Sequence, residues 1–209
     1  MRLLPRPDGS LRVRLDPEEA GLLDQLTGQL IDLLQSHSRT ALDPDPVLAS
    51  LEVGGSFLAP DDPALSRLFP DAYEDEDDAA QFRSVTEQGL LNRKLQDAVD
   101  VSAALGLGGT LDAHLNDELE QRFAESQRDP LTPPPSAPDP VEVIISPDDL
   151  PAWVRTLTAL RLAISARIGL EADADHAVLL DDEETRGTVL VFDWLGAILD
   201  SLLRVGMAQ

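Results

Sequence analysis

Two short segments far apart in the chain carry the same local instruction. Leu11 to Glu19 reads LRVRLDPEE, Val141 to Asp149 reads VEVIISPDD, and the two align without a gap. Each opens with apolar residues at every second position, the period of a half-buried strand. Each then supplies a capping side chain, Asp16 or Ser146, and next a proline that has no N–H to leave unbonded in the first helical turn. Two acids follow at the positive end of the helix dipole. A lone strand leaves its backbone donors and acceptors without partners. The two are therefore expected to pair with each other, residues 11–15 against 141–145, as one small two-stranded β ribbon.

The rest of the chain is patterned for helix, so the expected fold is mainly α: a multi-helix bundle carrying that ribbon. Leu22, Leu23, Leu26, Leu30, Leu33 and Leu34 stripe a helix from Asp16 to about Ser38. Leu150, Val154, Leu157, Leu160, Ile164 and Ile168 stripe another, stopped by Gly169. Pro151 would remove an early bond, so that regular helix should begin near Asp149 with a tight turn ahead of it. A last helix, from about Asp182 to Val205, carries Val191, Leu195, Ile198, Leu202 and Val205, widened by Phe192, Leu199 and Leu203. It should pack on the 150–168 helix with Trp153 and Trp194 as the large fillers. A stripe this broad also offers a face to a second copy of the chain, so a homodimer is a candidate assembly.

Between these, Pro7-Asp8-Gly9 is a turn signal, and residues 40 to 60 read as loop with one helical turn at Val47 to Leu51. Asp62-Pro63 can start a short helix that Phe69-Pro70 stops, because the residue before proline is pushed out of helical space. A long helix is expected from Asp77 to about Leu105 on Phe82, Val85, Leu90 or Leu91, Leu95, Val99 and Val101, capped by Asp75, Asp77 or Asp78. Gly106 to Gly109 breaks it, and Thr110 opens a further amphipathic helix. Asp129 to Pro140 is proline-rich and reads as a linker or surface loop. The expected organisation is an N-terminal half (1–128), that linker (129–140) and a C-terminal strand and helical hairpin (141–209), together one domain. Residues 171–184 read as an acidic connector.

Charge bears on partners. The chain carries 39 acids against 16 bases, a net charge of −23. Such a surface repels phosphate, which argues against direct nucleic-acid binding and anionic membranes and favours a basic protein partner. The absence of cysteine removes thiol chemistry and disulfides. No apolar run is long enough to span a membrane and no signal peptide is recognisable, so the expected location is cytoplasmic. No nucleophile triad order, phosphate-binding glycine loop or ligand-spaced histidine set is present, so no enzyme activity, cofactor or metal is expected. The acidic run Asp71 to Asp78 lacks the glycine of a calcium loop and reads as helix-capping charge. His114, Asp117 and Glu118 share a helix face, and His176 sits among carboxylates. Both read as solvated polar surface rather than metal ligands.

Leu68-Phe69-Pro70-Asp71-Ala72-Tyr73, followed by Phe82-Arg83, Thr86-Glu87 and Arg93-Lys94, resembles the actinobacterial AosR-like family of acidic cytoplasmic proteins. The second half adds Trp153, Leu160-Arg161-Leu162, Arg167-Ile168-Gly169 and Asp193-Trp194-Leu195. That family was formerly a domain of unknown function and is commonly encoded beside the Clp protease adaptor ClpS. The resemblance implies an oxidative-stress-linked transcription regulator that works with a sigma factor or RNA polymerase. The alternative it implies is an accessory factor in Clp-dependent proteolysis that binds ClpS or a Clp ATPase. The family's sensing uses a cysteine pair that this chain lacks, so thiol sensing does not transfer. Thr158-Ala159 also stands where the pattern has Asn-Asp. On either reading Phe69, Asp71, Tyr73, Glu74 and Asp75 form the candidate partner-contact surface. The competing role for Phe69 and Tyr73 is to pin the Phe-Pro turn to the core. Arg161 and Arg167 are expected to pair with Asp193 or other acids on the last helix.

Overall fold

Leu11 to Leu15 and Val141 to Ile145 do pair. They form an antiparallel ladder in which Leu11 faces Ile145, Val13 faces Val143 and Leu15 faces Val141. The computed structural model describes residues 1–41, 55–106 and 139–206. In chain order its elements are β1 (Arg2–Pro5), β2 (Leu11–Leu15), α1 (Pro17–Ala41), α2 (Pro63–Leu68), α3 (Glu76–Leu105), β3 (Val141–Ile145), α4 (Leu150–Ile168), α5 (Asp173–Asp181) and α6 (Arg186–Gly206). The architecture is mainly helical with a small three-stranded antiparallel sheet of order β1-β2-β3.

The sheet has one strand more than expected. Arg2 pairs with Arg14 and Pro5 with Leu11. The turn that returns the chain is Pro7-Asp8-Gly9: Gly9 takes φ 80°, and Arg6 N–H donates to the Ser10 carbonyl at 2.9 Å. Nothing in RLLP alternates, and it ends in a proline that only an edge strand tolerates, so the period that marks β2 and β3 is missing there.

The helix ends follow their caps. Asp62 accepts from the Ala64 and Leu65 amides at 2.9 and 3.1 Å, which starts α2 at Pro63. Asp75 does the same for Asp77 and Asp78 at the head of α3. The Asp16 amide donates to the Glu19 carboxylate at 3.0 Å, one arm of a capping box for α1. Ser146 holds a tight turn ahead of α4 through the Asp149 amide, and Gly169 closes that helix at φ 69°. The stretch 171–184 departs from the expected connector by forming α5. Asp175 accepts from the Glu171 and Ala172 amides and so caps it. Arg186 donates to the Leu180 and Asp181 carbonyls, so the chain turns there and α6 starts at Arg186 instead of Asp182.

One cluster of buried side chains draws on β2, β3, α1, α2, α3, α4 and α6. Leu11, Val13, Leu15, Val143 and Ile145 give it the inner face of the sheet. α3 packs on both α1 and α4, and α4 packs on α6 as expected, with Trp153 buried and Trp194 at its margin. The far side of α6 leaves Leu190 and Leu203 exposed.

The buried face of α3 is only partly the expected one: Leu91 and Val101 are buried and Leu95 packs against the core. Phe82, Val85, Leu90 and Val99 are exposed, whereas Glu87, Gln88, Leu91, Ala98, Val101 and Leu105 face inward. The inward set keeps helical spacing but includes polar residues that a search for apolar stripes passes over. The helix from Thr110 with His114, the helical turn at 47–51 and all but the end of the proline-rich stretch lie outside the described residues. Among the described residues no helix is long and apolar enough to cross a membrane.

Leu157 is fully enclosed where α4 meets the core. Leu157→Ala should lower unfolding stability by about 2–5 kcal/mol, read as a drop in the urea midpoint at unchanged m-value.

Candidate functional site

The turn from Phe69 to Tyr73 is built from the end of α2. Pro70 stops that helix, and Phe69 drops into the core. There its ring stacks on His37 of α1, with centroids 5.4 Å apart and planes at 26°. The Lys94 ammonium lies 5.8 Å from the centre of the same ring. Burial pushes the Lys94 pKa below its ordinary value, and the nearby Asp97 carboxylate offsets this only in part.

Behind Phe69 lies a buried polar pair. The His37 imidazole meets the Glu87 carboxylate, and Glu87 is only 1% exposed. The second Glu87 oxygen accepts from the Ser56 amide at 3.0 Å. Gly55 makes that approach possible. A Cβ there would fall 2.3 Å from the Arg83 carbonyl oxygen and 2.8 Å from the Glu87 Cβ, so only glycine fits. Residues 55–58 thus lie against α3. Arg83 fastens them by donating to the Phe57 carbonyl at 3.1 Å, while its other arm pairs with Asp71.

The five expected contact residues therefore divide. Phe69 is an anchor. Asp71 is half-exposed and tied to Arg83. Asp75 caps α3. Tyr73 and Glu74 face solvent, and Tyr73 meets Phe82 edge-on at 5.6 Å. Beside them opens a recess of about 140 Å³ lined by Phe69, Ala79, Phe82, Thr86 and Leu90. Among the described residues no three His, Asp or Glu side chains converge as a metal site.

Sequence reasoning missed the pair beneath this surface. Glu87, Leu91, Lys94, Ala98, Val101 and Leu105 recur at spacings of four and three, and that period was the available signal. The arginine expectation also needs correction. Arg167 pairs with Asp62 at 2.8 Å, and Asp193 pairs with His176 at 2.9 Å. Arg161 instead lies over the Phe192 ring. The reason is placement: α5 brings His176 to Asp193 first, and Arg167 near the end of α4 reaches the cap of α2.

A family model described as a domain of unknown function, DUF2017, matches residues 1–206. The chain belongs to the DUF2017 family. The DUF2017 match includes both β2 and β3, the Phe69–Tyr73 turn and all of α6. No curated protein and no solved structure matches the chain.

Two variants test this region. Glu87→Ala removes the acceptor of both His37 and the Ser56 amide and should cost about 3–5 kcal/mol in urea unfolding, with Glu87→Gln costing less. Lys94→Met should raise the urea midpoint at neutral pH. Native Lys94 gives up its proton at lower pH than the unfolded chain does, so wild-type stability climbs with pH between those two values. The advantage of the variant should shrink over that same alkaline interval.

Proposed function

We propose that this DUF2017 chain is a non-enzymatic acidic regulatory protein that acts in the cytoplasm through protein contacts, docking its partner on the surface around Tyr73. One observation carries the reading. Phe57, Tyr73, Phe82 and Leu90 are 67, 52, 42 and 48% exposed, clustered about the anchored turn. Single exposed apolar residues need no explanation, but a group of them around a recess suits a partner interface. Tyrosine and phenylalanine are also the side chains that carry binding energy at such interfaces. The acids from Glu74 to Asp78 border the group, and charge complementarity then favours a basic partner face.

The resemblance to AosR-like proteins supplies the partner class. The reading is a stress-linked transcription regulator that touches a sigma factor or RNA polymerase, with sensing that does not use thiols. Affinity capture from the native cell, with and without oxidant, tests it. The wild-type chain should recover sigma factor or polymerase, and a Tyr73→Ala, Phe82→Ala double variant with an unchanged urea midpoint should lose it by about tenfold or more. Recovery that ignores the double substitution would overturn the docking surface. Recovery of ClpS or a Clp ATPase in place of transcription proteins would overturn the transcription role in favour of a proteolysis accessory.

A further inference from the structure

In a chain with 39 acids and 16 bases, an arginine without a carboxylate partner is of interest where it lines a cleft. Arg6, Arg14, Arg83, Arg155, Arg167 and Arg204 each pair with a carboxylate, whereas Arg2, Arg12, Arg93 and Arg186 do not among the described residues. Arg67 at the end of α2 and Arg161 in the middle of α4 also lack such a partner among the described residues, and both line one cleft of about 590 Å³. That volume lies within the range of small-molecule sites.

Arg161 is held there by packing. Its guanidinium carbon sits 4.2 Å from the centre of the Phe192 ring. Gly196, one turn further along α6, leaves room for it: a Cβ at that position would lie 3.2 Å from the same carbon. The Nε atom is shut away from solvent without a hydrogen-bond partner, and among the described residues no hydrogen bond or ion pair engages the two terminal nitrogens. The result is a pre-oriented fork with its paired N–H groups free.

The rest of the cleft narrows the chemistry. Leu162, Leu170, Phe192 and Leu199 supply an apolar wall beside the arginines. His176 also lines the cleft but is engaged with Asp193. Glu171 and Asp173 line it from exposed positions, and neither forms an ion pair with Arg67 or Arg161. Two carboxylates nearby penalise a multiply charged anion more than a singly charged one. A planar fork receives a carboxylate through two parallel bonds.

We propose that the cleft between α2, α4, α5 and α6 binds a small organic carboxylate, its charged end on Arg161 and Arg67 and its apolar body against Phe192 and Leu199. This site is separate from the surface around Tyr73, and either can fail without the other. The test is a titration of the full chain with octanoate, followed by calorimetry and by backbone amide NMR. Octanol and inorganic phosphate serve as controls. Octanoate should bind and move the amides of residues 161–176, and octanol and phosphate should not. Arg161→Gln should weaken octanoate by about tenfold or more, and Arg67→Gln should weaken it severalfold. Arg67 is exposed on the short helix, so its variant keeps the test decisive if Arg161→Gln disturbs the fold. Absence of octanoate binding, equal binding of octanol, binding of phosphate alone, or affinity unchanged in Arg67→Gln and a folded Arg161→Gln would each overturn the proposal.

Discussion

The pairing of β2 with β3 is the constraint on which the other elements depend. It joins residues near one end of the chain to residues in its last third. Each strand runs through a capping residue straight into a helix. In an antiparallel pair the two helices must leave from opposite ends of the ladder. α1 departs beside the Leu15–Val141 pair, and α4 departs from the end where Leu11 meets Ile145. α3 then packs against both. A one-residue slip would turn Leu11, Val13 and Leu15 to the outside, so burial of that face fixes the register as firmly as the hydrogen bonds do.

Polar bonds position α3 as much as apolar packing does. Glu87 meets His37 of α1, Asp97 takes Arg155 of α4 in two bonds of 2.6 and 2.7 Å, and Ser102 donates to Asp24 of α1 at 2.9 Å. A pair buried on both sides, as His37 with Glu87 is, adds little net stability over apolar replacements, but a slipped or rotated helix would strand each of these partners. That selectivity bears on function. With polar groups turned inward, Phe82, Val85 and Leu90 are left on the outside, beside a turn that Phe69 and Arg83 hold still. The same reasoning separates the two arginine roles: Arg83 and Arg155 clamp the frame, whereas Arg161 is braced by a ring and keeps its fork unspent.

Much of this was legible in the residues because short-range chemistry wrote it. The ladder between 11–15 and 141–145 followed from two matching strand-and-cap segments. The start of α2 at Pro63, its stop at Phe69 and the opening turn of α4 followed from Asp62, Pro70 and Ser146. What stayed hidden depended on distant partners. β1 is too short and irregular to alternate, and only its neighbour makes it a strand. α5 has an acidic, weakly patterned sequence and rests on α6. The inward face of α3 was read only in part, through Leu91, Leu95 and Val101, because Glu87 and Asp97 look like surface residues until His37 and Arg155 are placed opposite them. Of the candidate contact residues, the anchoring role of Phe69 and the cap at Asp75 were among the alternatives weighed from sequence. The arginine cleft was not, since it needs α2, α4, α5 and α6 brought together.

Native-state hydrogen exchange, resolved amide by amide by NMR, addresses the stitched architecture most directly. If the β2–β3 ladder unites the two parts of the chain, the amides of Val13 and Val143 should exchange in the same slow class as those of Leu34, Leu91 and Leu157, with one common dependence on urea. If β3, α4 and α6 instead opened together as a separate unit, well below the opening energy of β2, α1 and α3, the account would be contradicted.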